Sequence, residues 1–328
     1  MSLASVRLRY VLRRVVQAIP IIFIIASLDF LLVHLAPGNV VDALAGSSGS
    51  ATPEYIALLR HEFGLDQPLY VQYADYLKNI FTLNLGYSYF DNMAVATLIT
   101  QRLPATLLLM GAAIVLSVGG GVLLGLFAAE RPNSVRDRVI SVLALVSYAT
   151  PLFWVGLMLI VLFSLHLRWL PPSGMQDVAQ FYTGWMLVVD ILRHLLLPAI
   201  TLSLFYLALY ARLMRSSFLE HSGMDYVVTA RAKGLTPRAV TFRHILQNAC
   251  LPVVTMAGVQ IGNLLGGSVV VESVFAWPGI GQLAFRALVA RDLNLLLAIF
   301  FIAACLVIVV NLIVDVIYTV LDPRIELA

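Results

Sequence analysis

The sequence predicts an all-α integral membrane protein with six transmembrane helices and both termini cytoplasmic. Three observations lead there. Of 328 residues, 60% are hydrophobic and only 12% are charged, with a mean hydropathy of +0.91; soluble domains carry about 25% charge. Six apolar runs are each long enough to cross a bilayer, which takes about 20 residues. They are approximately 11–35, 103–129, 138–166, 193–214, 248–271 and 294–320. With the N-terminus placed inside, 14 Lys and Arg residues fall on inner segments and 7 on outer ones. Three of those seven, Arg60, Lys78 and Arg102, lie in one long loop, which weighs little in the positive-inside rule. Across short segments the comparison is 14 against 4. This placement accounts for the pI near 8.9 by membrane topology rather than by nucleic-acid binding.

Residues 1–102 hold the first span and a long extracytoplasmic loop. The start, "RLRYVLRRVVQAIPIIFIIASLDFLLVHLAPG", has the basic-then-apolar order of a signal peptide. Its apolar run, Val15 to Leu35, is nevertheless long enough to span, and no clear small-x-small cleavage site follows. It reads as an uncleaved first helix. In the loop, the polar tract at "GSSGSA" gives way to Thr52 as an N-cap, Pro53 as a first helical position and Gly64 as a stop. Then "PLYVQYADYLKNIF" sets Tyr70, Tyr73, Leu77 and Ile80 on one helical face. Both pieces read as short amphipathic helices over the outer mouth.

Residues 103–320 supply five further helices, and residues 321–328 a cytoplasmic tail. In "GVQIGNLLGG", Gly258, Gly262 and Gly266 recur every four residues and form a smooth ridge that lets a second helix come close. "GGGVLLG", Gly119 to Gly125, reads the same way. Pro20, Pro104, Pro151, Pro198 and Pro252 predict kinks or helix starts. Asp29 and Asp315 lie within apolar runs, where a central charge costs about 2.5–3.5 kcal/mol. Asp29 lies 15 residues beyond Arg14, about 22 Å at 1.5 Å per residue, hence past the middle. Asp315 lies near the inner end of the last span. Both read as structural polar contacts; a proton site in a secondary transporter is the alternative.

The chain has no G-x-x-x-x-G-K-[ST] motif, so it carries no phosphate-cradling loop of its own. It reads as a transport subunit rather than an enzyme. "GSSG", Gly46 to Gly49, has the short serine motif of intramembrane proteases but sits in a polar tract, where a serine lacks the buried base it needs. "HEFGL" at His61 lacks the second histidine of a zinc site. Cys250 and Cys305 sit in apolar runs and suggest neither a disulfide framework nor a metal site.

One inner segment, about 215–247, is unlike the rest. "DYVVTARAKGLTPRAVTFRHILQNACLPVV" places Arg231, Lys233, Arg238, Arg243 and His244 between apolar runs. Tyr226 to Lys233 can form a short helix, Gly234 permits a turn at positive φ, and Pro237 suits the first turn of a second helix. The product is a basic helix–turn–helix knob, too small to fold alone. Anionic lipid would need only its charge; the ordered Ala230-x-Ala232-x-Gly234 turn points to a groove on another protein.

At these residues the loop resembles the EAA loop of ABC importer permeases, in the dipeptide/oligopeptide branch. It departs from the general pattern: Val228-Thr229-Ala230 stand where Glu-Ala-Ala is usual, and His244-Ile245-Leu246-Gln247 where Ile-x-Leu-Pro is usual. Both departures are typical of the peptide branch. "FGLDQPLYVQY", "LNLGYS", "RLPATLLL", "SYATPLFWVGLMLI", "RWLPPSG", "RLMRSSFLE", "VVVESVFAWPGIG" and "VNLIVDVIYTVLDPR" extend the likeness along nearly the whole chain. The resemblance implies a type I importer permease fold, in a bacterial or archaeal inner membrane. It implies a heterodimer with a second permease, two ATPase subunits using ATP and Mg, and an extracytoplasmic substrate-binding protein. No cofactor is implied for this chain. Tyr226, Thr229, Ala230, Arg231, Ala232, Lys233, Gly234 and Leu235 would be the coupling segment seated in an ATPase groove. Ala230, Ala232 and Gly234 would permit close seating, and Arg231 and Lys233 would supply polar contacts. Peptides would be the substrate, with nickel, glycosides or opines as alternatives within the family.

Overall fold

A computed structural model describes residues 3–35, 52–62, 64–88 and 90–321. The chain groups into two compact units: residues 1–104, 282–312 and 327–328 in one, and 105–281 with 313–326 in the other. The "GSSG" tract and most of the final tail lie outside the described residues, as does the side chain of Asp315.

The first unit begins with helix α1, Leu3–Leu35. Helix α2, Pro53–Glu62, opens at the proline. It closes where Gly64 takes φ +63 and Leu65 N–H donates to Arg60 O at 2.9 Å. Helix α3, Leu69–Phe81, packs Ile80 against Ala26 and Phe301, with Tyr76 and Leu77 alongside. Ser27 Oγ and the Tyr73 hydroxyl are hydrogen-bonded at 2.6 Å. The inward stripe therefore differs from the expected one. Tyr70 is 75% exposed, because Tyr73, Tyr76, Leu77 and Ile80 complete the i, i+3, i+4, i+7 set instead.

A two-residue antiparallel pair, β1 (Tyr87–Ser88) with β2 (Met93–Ala94), interrupts the helical order; Tyr87 faces Ala94 and Ser88 faces Met93. Ser88 Oγ donates to Asp292 Oδ2, and Asp292 Oδ1 accepts from Leu295 N–H at 3.1 Å. One carboxylate thus ties the hairpin to the start of a later helix.

The second unit is built around long helices. Helix α4 runs Val95–Ala129, α5 Val135–Ala149, α6 Leu152–Leu159 with a π turn over Ile160–His166, and α7 Trp185–Ser222. α7 is the hub: Leu197, Leu202, Tyr210 and Met214 are all but sealed from solvent. Gly121 and Gly125 bring α4 close to it. A Cβ on Gly121 would lie 2.5 Å from Tyr210 Cβ, and one on Gly125 2.5 Å from the Ala211 carbonyl oxygen.

Helices α8, Asp225–Ala232, α9, Pro237–Val240, and α10, Leu246–Ala249, lead into α11, Leu251–Val274. α12, Ile280–Ala290, and α13, Leu293–Leu321, complete the described chain. The expected glycine ridge on α11 is not one uniform seam. Gly258 leaves no room for a side chain beside Val314, whereas Gly266 has nothing within 4 Å. Gly262 falls where the helix turns by 60° between Gln260 and its own position, and a bent helix cannot present three glycines to one straight neighbour.

Three helices, Val95–Ala129, Trp185–Ser222 and Leu293–Val314, are long and apolar enough to cross a membrane, or up to five if two bent pairs each count as a span, among the described residues. The third apolar run is one of those pairs. It breaks by 107° between Ala149 and Leu152. Pro151 has no N–H to donate and drives the residue before it out of helical geometry; Thr150 sits at φ −84, ψ 132. Pro20, Pro104 and Pro198 lie inside helices, and Pro252 lies in the first turn of α11.

Candidate functional site

α8 has eight residues and two anchors. Val227 is fully buried and Ala230 is 4% exposed; three positions apart, they share one face. That face packs on Pro237–Val240 and Thr241–Ile245, where Val240 and Ile245 are buried. The other face, with Tyr226, Val228, Thr229, Arg231, Ala232 and Lys233, is open to solvent, as are Gly234 and Leu235 beyond it. The helix ends as expected. Gly234 takes φ +78, its N–H donates to Arg231 O at 2.9 Å, and Lys233 N–H donates to Thr229 O at 3.0 Å. Thr236 caps the next helix, its Oγ1 accepting from Ala239 N–H at 3.4 Å.

The expected set divides. Tyr226, Thr229, Arg231, Ala232, Lys233, Gly234 and Leu235 lie on the exposed surface. Ala230 does not: it faces its own chain, so it holds the helix rather than offering it. The Thr229 hydroxyl turns back to Asp225 O at 3.0 Å, and the Tyr226 hydroxyl is hydrogen-bonded with His221 Nδ1 at 3.0 Å. Arg231 and Lys233 are exposed cations at the C-terminal end of α8, and Asp225 is an exposed anion at its start.

Two further groups escaped the sequence reading. Arg215, near the end of α7, donates from Nε to Asp137 Oδ1 at 2.7 Å and from its terminal nitrogen to Oδ2 at 2.8 Å. Asp137 lies in the first turn of α5 and also accepts from Asn133 N–H at 2.9 Å. This forked pair clamps α5 to α7 one helix before the knob. Sequence reading used Arg215 only as a topological charge; its partner lies 78 residues away.

The second group surrounds Glu272, fully buried at the end of α11. Thr106 Oγ1 donates to Glu272 Oε1 at 2.8 Å and accepts from Ile280 N–H at 2.8 Å. Trp277 N–H donates to Glu272 O at 2.9 Å, and its indole Nε1–H donates to Ala105 O at 2.9 Å. Any side chain on Gly279 would collide with the Glu272 carboxylate, and one on Gly281 would lie 2.7 Å from Val269 Cα. A glutamate closing an apolar run just before Trp-Pro-Gly was the available signal.

Asp29 is 7% exposed, and neither its Oδ2 nor the buried Tyr76 hydroxyl has a hydrogen-bond partner among the described residues. His61 Nδ1 pairs with Asp66 Oδ2 at 2.7 Å on the surface, which raises the imidazole pKa above its ordinary value through that hydrogen bond.

Two family descriptions match the chain. "Binding-protein-dependent transport system inner membrane component" covers residues 121–327, and the corresponding N-terminal description covers 7–110. The di/tripeptide transport system permease protein DppB of Pseudomonas aeruginosa (strain UCBPP-PA14) is 41% identical over 97% of this chain and 99% of its own length. A Brucella abortus (strain 2308) protein, provisionally named a peptide transport system permease, is 38% identical over 96% of this chain and 98% of its own. An inward-facing structure of the MetNI methionine ABC transporter matches with TM-score 0.55 at 16% identity, over 69% of this chain and 97% of that one. That likeness supports a shared fold of type I importer permeases. By the family match and by identity along almost its full length, the chain belongs to the binding-protein-dependent transport system inner membrane components.

Proposed function

We propose that this chain is one of two permease subunits of an ABC importer for short peptides, with six spans and both termini cytoplasmic. Together with a different second permease it forms the translocation path. Two ATPase subunits bind ATP and Mg below it, and an extracytoplasmic binding protein delivers substrate. The peptide assignment is supported by the names of relatives that match nearly end to end. The observation that carries the mechanism is α8: a short helix held by Val227 and Ala230 and otherwise exposed. The chain gains nothing by facing water with Val228 on this helix, 58% exposed, and Leu235 just beyond it, 38% exposed.

Seated in an ATPase groove, α8 moves when the ATPases close on ATP. Its motion reaches α7 directly along the chain, and α5 through the Arg215–Asp137 fork. A ligand can shift an equilibrium only through differential contacts in the two states; here those contacts are the docked α8 and the clamped helix ends. Hydrolysis in the partner subunits then resets the path.

The test compares wild type with Gly234→Asp at matched membrane levels, in cells without other peptide uptake. Depletion of a di- to octapeptide mixture is followed by mass spectrometry. The variant is expected to insert normally and to deplete no peptide, because it strains a positive-φ turn and adds charge to the docking surface. Wild-type depletion by the variant would sink the coupling role. If the wild-type chain itself depletes no peptide, the substrate is another solute.

A further inference from the structure

The break in the third apolar run borders a half-open cavity that the coupling mechanism does not use. α5 ends at Ala149 and α6 begins at Leu152, with Thr150 and Pro151 extended between them. The cavity, about 370 Å³, is lined by Tyr148 to Leu152, Phe205, Tyr206 and Gly267. All of these residues lie within one compact unit.

Three features define its chemistry. Tyr206 is only 5% exposed, yet its hydroxyl has no hydrogen-bond partner among the described residues. That hydroxyl lies at the cavity wall, 3.8 Å from where a Cβ on Gly267 would be. The hydroxyl opens on the cavity rather than being sealed in the core, so it can donate to an acceptor that enters there. Next, α6 opens with no side-chain cap, so its first N–H groups, beginning at Leu152, have no intrahelical partners. Irregular backbone at membrane depth is tolerated inside protein or around a water-filled cavity, and broken spans are where carriers place substrate. Finally, the walls are aromatic: Tyr148 stacks on Phe205 with centroids 4.8 Å apart, and Phe205 meets Tyr206 edge-on at 5.2 Å.

No charged group lines the space itself, and the Arg212 guanidinium stands behind its wall, over the Tyr148 ring at 5.4 Å. Its free polar groups include a hydroxyl and main-chain N–H donors, which suit carbonyl oxygens and ignore side-chain charge. Its volume is at the small end of ligand sites, about 300–1,000 Å³, enough for one or two residues at a time. We infer that this cavity is a station for the passing peptide, where the Tyr206 hydroxyl and the Leu152 N–H donate to substrate main-chain carbonyls while the aromatic walls take side chains of any kind. The inference rests on the peptide-importer reading and gives it a means of broad specificity: recognition of what all peptides share.

The test uses the complete transporter with its binding protein in proteoliposomes, and tri-alanine as the probe. Wild-type uptake of tri-alanine establishes the reading beneath; no uptake removes that reading and this inference with it. Given uptake, Tyr206→Phe is expected to lower the import rate about fivefold, the worth of one hydrogen bond, while ATP hydrolysis stimulated by the binding protein alone stays unchanged. An unchanged import rate overturns the role of the hydroxyl. In parallel, Ala149→Cys is placed in a chain with Cys250→Ala and Cys305→Ala and labelled with a water-soluble methanethiosulfonate. Tri-alanine is expected to slow the labelling during turnover. Labelling that ignores tri-alanine in an importing transporter, or that needs a lipid-soluble reagent, overturns the inference and makes lipid the occupant. If the cysteine-free background does not assemble, Tyr206→Phe decides alone.

Discussion

Two glycine-bearing turns in this chain serve opposite purposes. At Gly234 the backbone sits at φ +78, and nothing lies within 4 Å of where a Cβ would be. At Gly279 and Gly281 no positive φ is needed, but a Cβ would run into the Glu272 carboxylate. The first glycine supplies backbone shape; the other two supply space. Their surroundings differ in the same way. α8 is an exposed knob on two small anchors, and its own chain buries little of its outer face. The Glu272 knot is sealed, with its hydrogen bonds closed on Thr106, Trp277 and Ile280. The contrast is between a short helix held to its own fold by a few contacts and a knot packed tight on every side. In the knob, stability and activity should separate; in the knot they should fail together.

The hardest break in the knot is Gly281→Val. Overpacking against Val269 and Glu272 is expected to cost about 3 kcal/mol and to remove transport by removing folded protein. Denaturation of the purified permease in detergent measures it; a loss under about 1 kcal/mol would mean the knot adapts to the added side chain. A gentler break is Thr106→Val, which keeps the volume but strips the partner of Glu272 Oε1 and of Ile280 N–H. An unsatisfied buried group costs about 1–3 kcal/mol, so the same measurement should give an intermediate value, and transport should fall only in proportion to folded protein. The smallest effect on stability belongs to the knob. Arg231→Ala with Lys233→Ala is expected to leave denaturation within about 0.5 kcal/mol of wild type. Peptide import should nevertheless fall steeply, because both exposed cations at the end of α8 are gone. Full import by that double variant would mean that the apolar face, Val228 and Leu235, does the docking unaided.

Much of the knob was legible in the sequence because its rules are local. Helix closure at Gly234, the proline start at Pro237 and the basic face depend on neighbours within one or two turns. The same holds for α2, opened at Pro53 and closed at Gly64. Ala230 was the exception. Which side of an eight-residue helix faces inward depends on what packs there, and Val240 and Ile245 do so only after the chain has folded back.

The sequence by itself determined the membrane class, the apolar runs, the positions of the turns and the family, because hydropathy, charge placement and glycine or proline chemistry act along the chain. Only the tertiary structure decided that Arg215 grips Asp137, that Glu272 is caged by Thr106 and two glycines, and that Phe205, Tyr206 and Gly267 meet the broken run at a cavity. The Arg215–Asp137 and Thr106–Glu272 pairs join groups 78 and 166 residues apart. At such separations no periodicity links them, and only the packing of whole helices brings donor and acceptor within reach.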